Sequence, residues 1–267
     1  MHTPVPTGTV LDRILEARRA EVEHRKKVLP ETALKYGVAA ATPIRDFAAA
    51  LTRPGINVLA ELKPASPSRG VIREPFDPVA LATSLESAGA AALSVLTEGE
   101  FFRGTLKNLR DARKSVQIPA LRKDFIFDPW QVWETRANDA DSFLLIVAAL
   151  SDNQLNELLA LGRELKMEPL VEVHTPAELD RALRAGATII GVNNRNLKTL
   201  DVRVETSFEL IEKIPDDCVA VAESGISSHA EIEKLCAAGF DAFLIGTNLM
   251  LAPNPGAALS SLLGQPG

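Results

Sequence analysis

The chain has 267 residues, 46% of them hydrophobic, and a net charge of -6, so it can bury a sizeable core as one large or two small domains. That balance argues against nucleic acid as a partner, although a local cationic pocket is compatible with it. The start, Met1-His2-Thr3-Pro4-Val5-Pro6, lacks the charged and apolar blocks of a signal peptide, and the longest wholly apolar run, 143–150, is too short to span a bilayer. Two cysteines, Cys218 and Cys236, and four scattered histidines give no metal-ligand spacing. A reducing, cytoplasmic compartment, no membrane and no metal are expected.

Residues 10–27 place Val10, Leu11, Ile14, Leu15 and Ala17 on one face and charged residues between them, an amphipathic helix that Thr9 can cap. A shorter helix over 44–51 precedes the turn Arg53-Pro54-Gly55. Residues 1–54 thus read as a helical extension whose charges form a solvated face. From Ile56 onward a short apolar strand, a loop and a helix recur. The strands are predicted at 56–62, 91–96, 118–121, 142–148, 170–174, 188–192, 219–222 and 242–245, and the helices at 77–88, 105–115, 129–138, 152–165, 176–185, 205–213 and 229–238. Glycine at Ala88-Gly89-Ala90, Ala185-Gly186-Ala187 and Ala238-Gly239-Phe240 suits a left-handed helix end before each dive into the core. Continuous apolar strands alternating with helices imply a parallel sheet, and eight such units fit a closed (βα)8 barrel, a TIM barrel, in one domain over 1–267. A doubly wound open sheet is the alternative, but no Gly-x-Gly-x-x-Gly turn follows the first strand.

In such a barrel, chemistry belongs at the carboxyl ends of the strands. There the sequence places Glu61 and Lys63, then Lys123, Glu172, Asn193 and Glu223. Glu61 and Lys63 are two apart, so they point the same way, and a structural ion pair is the bland account of them. Ladder-breaking Pro64 and Pro67, with Ser66, Ser68 and Gly70, predict an irregular exposed loop after the first strand. Ser224-Gly225 and Gly246-Thr247 are small, each opening a helical segment after strands seven and eight, the usual phosphate seat of this barrel, with Arg195 or Lys63 near enough to add charge. His174 reads as a loop contact rather than a base. Phe101, Phe102 and Phe125 lie on open-end loops, where they either pack a lid or meet a flat apolar part of a substrate.

Taken together, Glu61-Leu62-Lys63-Pro64-Ala65-Ser66-Pro67-Ser68, Leu96-Thr97-Glu98 with Phe102-Arg103-Gly104, Leu121-Arg122-Lys123-Asp124-Phe125, Leu170-Val171-Glu172-Val173-His174, Gly191-Val192-Asn193-Asn194-Arg195-Asn196-Leu197, Ala222-Glu223-Ser224-Gly225-Ile226 and Leu244-Ile245-Gly246 resemble the indole-3-glycerol phosphate synthase family. The resemblance covers the whole barrel and the helical extension. It implies closure of the indole ring from 1-(o-carboxyphenylamino)-1-deoxyribulose 5-phosphate, with loss of carbon dioxide and water, in tryptophan biosynthesis. It also implies Lys123 as general acid, Lys63 on the substrate carboxylate and Glu172 as base, with Glu61, Asn193 and Glu223 on substrate hydroxyls and tuning the lysines. Ser66, Ser224, Gly225, Gly246, Thr247 and Arg195 match substrate- and phosphate-binding positions, and Phe102 and Phe125 match rings on the anthranilate side. No cofactor, metal or obligatory protein partner is implied. Departures are Asn196 for a common aspartate, Asp139 in a usual Gly-Ala-Asp, Trp130 for a common tyrosine, and Thr247-Asn248. The rival functions are another sugar-phosphate isomerase, epimerase or aldolase, and a phosphate-binding barrel without catalysis that serves as a partner protein.

Overall fold

The computed structural model of the chain describes residues 2–196 and 198–265, and in it the repeated strand and helix pattern closes on itself. Met1 and Leu197, the latter ending one motif quoted above, lie outside the described residues. The barrel strands are β1 (Asn57–Leu62), β2 (Ala92–Leu96), β3 (Ala120–Lys123), β4 (Ser142–Ile146), β5 (Leu170–Val173), β6 (Ile189–Asn193), β7 (Val219–Glu223) and β8 (Ala242–Ile245). Each pairs in parallel with its successor, and β8 pairs back onto β1. The (βα)8 barrel is therefore the fold, and an open sheet is excluded because every barrel strand has a neighbour on both sides, leaving no edge.

Among the described residues, twelve helices surround or precede the strands: α1 (Leu11–Val28), α2 (Glu31–Ala40), α3 (Phe47–Leu51), α4 (Pro78–Ser87), α5 (Leu106–Ser115), α6 (Pro129–Ala137), α7 (Asp152–Glu164), α8 (Pro176–Arg184), α9 (Glu205–Ile211), α10 (His229–Ala238), α11 (Thr247–Leu251) and α12 (Pro255–Leu262). The helix starts follow local chemistry. Asp128 and Ser151 cap α6 and α7 with complete capping boxes, and Ser228 does the same for α10. Gly89, Gly186 and Gly239 all have positive φ, as expected of left-handed helix ends. Asp139 does the same at φ 64 without being glycine, and its carboxylate accepts the Thr42 amide at 2.7 Å and hydroxyl at 2.9 Å. A backbone conformation that aspartate tolerates thus anchors the segment that links α2 to α3.

Strand register decides which side chains meet. Glu61 pairs with Ser94, Glu172 with Gly191, and Asn193 with Glu223. Paired residues on parallel strands face one way, here into the barrel. The residues between them face the helices, so Arg122 reaches Glu134 and Thr135 of α6 and Phe143 packs against Gly162 of α7. Lys123 and Glu223 end β3 and β7, which run further than 118–121 and 219–222, while β4 stops at Ile146 before a short 3-10 turn, Val147–Ala149.

Three further features depart from the sequence expectations. Residues 31–40 form a helix that periodicity does not reveal, because only Leu34 on it is buried; Tyr36 is 81% exposed. It is held instead by packing on α6, where Gly37 comes close to Ala137. The loop after β1 carries a small antiparallel hairpin, Ala65–Ser66 with Gly70–Val71. Its prolines do not break it: Pro67 sits in the turn, and Pro64 needs only its carbonyl, which accepts Ile72 N–H at 2.8 Å. Finally, the charges of α1 are only in part a solvated face: Arg13, Glu16, Arg19 and Lys27 are exposed, but others turn inward. Arg18 is buried and donates to Asp124 at 2.7 Å, Lys26 meets Asp128 at 2.8 Å, and Arg25 meets Glu134 at 2.5 Å. Trp130 of α6 joins the same contact, donating Nε1–H to the Leu29 carbonyl at 2.9 Å.

Candidate active site

The inward-facing polar residues at the carboxyl ends of the strands form one cluster. Lys63 Nζ lies 2.6 Å from Glu61 Oε2. Lys123 Nζ lies 2.8 Å from Glu223 Oε2 and 3.6 Å from Glu172 Oε2. Three buried carboxylates thus surround two ammonium groups. Burial acts to strip Lys123 of its proton, but Glu223, then Glu172 and Glu61, outweigh it and raise its pKa. Burial also opposes charge on Glu61, yet Lys63 foremost, with Lys123, holds that carboxyl below its ordinary value. At Glu223 burial wins: with Glu172 and Glu61 adding like charge, it outweighs Lys123 and pushes the carboxyl up to about 7. Lys123 and Glu223 share a hydrogen bond, and a spare proton in the cluster belongs on Glu223 while Lys123 stays charged.

The cluster lies in a cavity of about 380 Å³, the size of a small-molecule site. Glu61, Lys63, Ser66, Phe102, Lys123, Phe125, Glu172, Asn193, Arg195, Glu223, Ser224, Gly225, Gly246 and Thr247 all line it. Residues far apart in sequence are therefore brought to one place. Phe101 and His174 are not in the lining. Phe102 and Phe125 pack on each other with ring centroids 5.9 Å apart. Sequence patterning did not reveal that Val10, Leu11 and Ile14 also line the cavity. The apolar stripe of α1 was legible, but the surface it covers was not, because nothing in a periodic pattern names its partner.

Two small-residue turns complete the rim. Ser224 and Gly225 take consecutive positive φ values of 67° and 83°. A Cβ on Gly225 would lie 2.5 Å from Val202 Cγ1, so the loop after β6 can close down only on glycine. This turn does not itself open a helix, since α10 starts only after the Ser228 cap. Gly246, by contrast, leads directly into α11, and Asn248 ties the two turns by donating to the Ile226 carbonyl at 2.8 Å. Arg195 lines the same cavity, steadied by a 2.9 Å hydrogen bond to the Leu200 carbonyl. Amides, hydroxyls and a cation at one end of a cavity can hold a phosphoryl group.

Glycine also makes room for the buried acids. A Cβ on Gly191 would stand 2.1 Å from Glu223 Oε1, and one on Gly246 would stand 2.1 Å from Glu61 Oε2.

A closed parallel barrel with paired acids and ammonium groups converging at the carboxyl ends of its strands defines a (βα)8-barrel enzyme. Solved structures agree on the fold: 3-hexulose-6-phosphate synthase from Salmonella typhimurium superposes with a TM-score of 0.64 at 11% identity, covering 78% of this chain and 97% of that one. A family model described as indole-3-glycerol phosphate synthase matches residues 11–262. An indole-3-glycerol phosphate synthase from Chlorobium chlorochromatii (strain CaD3) is 49% identical over 247 residues, covering 91% of this chain and 96% of that protein. One from Koribacter versatilis (strain Ellin345) is 48% identical over 260 residues, covering 96% and 100%. The chain belongs to the indole-3-glycerol phosphate synthase family.

Gly191→Ala is accordingly expected to displace Glu223 from Lys123 and lower turnover by about 10²-fold, as a misplacement near 1 Å does. Steady-state kinetics beside a thermal melt check this; normal turnover in the folded variant would mean that Glu223 needs no such seat.

Proposed function

We propose that this chain closes the indole ring of 1-(o-carboxyphenylamino)-1-deoxyribulose 5-phosphate to give indole-3-glycerol phosphate, with Lys123 as general acid and Glu172 as general base. The ring carbon that bears the carboxylate attacks the ketone, and negative charge develops on the carbonyl oxygen. Lys123, held as ammonium by its carboxylate neighbours, delivers a proton to that oxygen. Lys63 holds the substrate carboxylate until it leaves as carbon dioxide. The hydroxyl then leaves as water with a second proton, drawn from Lys63 once the carboxylate it held is gone, and Glu172 accepts the proton that departs from carbon as the indole double bond forms. Glu61, Asn193 and Glu223 bind substrate hydroxyls, and the two carboxylates help keep Lys123 charged. Phe102 and Phe125 pack on the anthranilate ring, and Ser224, Gly225, Gly246, Thr247 and Arg195, with Ser66 from the β1 loop, hold the phosphate end.

One observation carries these assignments: the amine of Lys123 lies 2.8 Å and 3.6 Å from two carboxylates inside a cavity that also holds a second ammonium group. A proton donor and a proton acceptor thus reach one bound molecule. No cofactor, metal, nucleic acid or obligatory protein partner enters this account. We further take residues 1–267 as one barrel domain, with 1–54 as its helical extension, working in the cytoplasm. No helix among the described residues is long and apolar enough to cross a membrane.

The test is direct. Mixing the protein with the carboxyphenylamino-deoxyribulose phosphate should produce indole fluorescence, and a folded protein that yields none would overturn the assignment. Borohydride added during turnover should leave Lys123 unmodified; a reduced adduct on it would point to an aldolase-type Schiff base instead.

A further inference from the structure

Among the buried ionisable groups beside the cluster, His174 has no part in the chemistry above. It lies two residues past Glu172, just beyond the end of β5, so strand alternation turns the two side chains to one side. Its ring is placed between two carboxylates, with Nε2 3.4 Å from Glu172 Oε1 and Nδ1 3.3 Å from Glu178 Oε2. Glu178 is itself fixed at the start of α8. Its carboxylate accepts the His174 backbone N–H at 2.8 Å, and its own amide donates to the Thr175 hydroxyl at 3.2 Å. His174 Nε2 is buried and, among the described residues, has no hydrogen-bond partner; the Glu172 carboxylate, at ion-pair distance, is the acceptor it faces. The other oxygen of Glu172, Oε2, faces Lys123.

We propose that His174 is a positioning residue: anchored by Glu178, it holds Glu172 Oε1 so that Oε2 is the oxygen presented to the reacting molecule. The proposal rests on Glu172 being the base. A carboxylate with each oxygen held by a different group cannot turn about its last bond without losing one of them, so its accepting lone pair stays aimed. The surroundings pull the imidazole toward its charged form. Burial opposes that charge, but the hydrogen bond to Glu178 and the charges of Glu172 on β5, Glu178 on α8 and Glu223 on β7 raise its pKa. With a carboxylate facing each ring nitrogen, the contact to Glu172 calls for a hydrogen on Nε2 as well as on Nδ1. A histidine serving only the loop would need Nδ1 alone.

The two ring nitrogens can be separated by substitution, because a glutamine amide reaches the Nε2 position and an asparagine amide the Nδ1 position. His174→Asn keeps the Glu178 contact and is expected to lose about 10-fold or more in kcat with KM within about twofold of wild type. His174→Gln restores the Glu172 contact and should recover most of kcat. A purely structural histidine gives the reverse order, with Asn tolerated and Gln lowering the melting temperature, and that order would overturn the proposal. Nitrogen NMR of the unaltered protein needs no variant to fold: both ring nitrogens should be protonated at pH 7, and a bare Nε2 there would be equally fatal. Glu172→Gln separates the two layers of the assignment. If it retains turnover, the base role itself fails; if it is inactive while His174→Asn has normal kcat, only the positioning role does.

Discussion

Lys123→Ala is expected to lower turnover by at least about 10²-fold while circular dichroism stays native, the usual consequence of removing a general acid. The expectation follows from the charge state of the amine. A lysine with 13% of its side chain exposed would ordinarily tend toward the neutral form, but Glu223, Glu172 and Glu61 keep it protonated. It thus arrives at the ketone carrying the proton that the developing alkoxide takes up. Removing it strands Glu223 and Glu172, yet Glu223 already titrates at about 7 and can neutralise by binding a proton, so the fold should persist. Lys123→Arg is expected to fare little better, since guanidinium keeps the charge but does not release a proton at neutral pH. Near-normal turnover in the alanine variant would remove Lys123 from the acid role.

The second large effect is on stability. Asp124→Asn is expected to cost about 3–5 kcal/mol, because it leaves two buried guanidinium groups without their shared carboxylate. Asp124 Oδ2 accepts from Arg18 at 2.7 Å, from Arg122 at 2.8 Å and from the Thr97 hydroxyl at 2.6 Å, and neither arginine has more than 1% of its side chain exposed. Burial pushes the Asp124 carboxyl up, but Arg18 and Arg122 more than reverse this and bring its pKa to about 2, below an ordinary value of 3.8. A depressed folded-state pKa contributes stability that is fully present above the unfolded value and fades as pH falls through the folded one. Urea melts should therefore separate wild type from Asp124→Asn by the full amount at pH 5, with the gap narrowing from about pH 4 toward pH 2. A gap that did not change with pH would mean that the carboxylate charge is not what holds the arginines. Arg18→Met should cost less, since Arg122 still pairs with Asp124.

The location of Asp124 gives this network a consequence for the site. It is the residue after Lys123, and Arg18 belongs to α1, whose neighbours Leu11 and Ile14 line the cavity. One buried ion pair thus fixes the helical extension against the strand that ends in the proposed acid. Loosening it should disturb the apolar wall of the cavity as well as the melting temperature.

Much of this was legible in the residues. Apolar strands, glycine at helix ends and polar residues at strand ends are local signals, repeated often enough to define a barrel and its working rim. The α2 helix was not legible because its stability comes from α6 rather than from its own periodicity. The small hairpin after β1 was hidden because proline at a turn looks, in sequence, like proline that breaks a ladder. The partners of the inward charges of α1 were hidden for the same underlying reason: a helix pattern gives the spacing of Arg18, Arg25 and Lys26 but not the carboxylates waiting just past β3, at the cap of α6 and on α6.

By itself the sequence determined the strand and helix alternation, the face on which Glu61, Lys63, Lys123, Glu172 and Glu223 lie, and the family they resemble, since each depends on near neighbours in the chain. Closure of the barrel decided the rest. Which carboxylate meets which ammonium group, which oxygen of Glu172 turns to His174, and where α1 lands are fixed by strand register and by the loss of water around buried charge, and these come into being only when distant segments pack together.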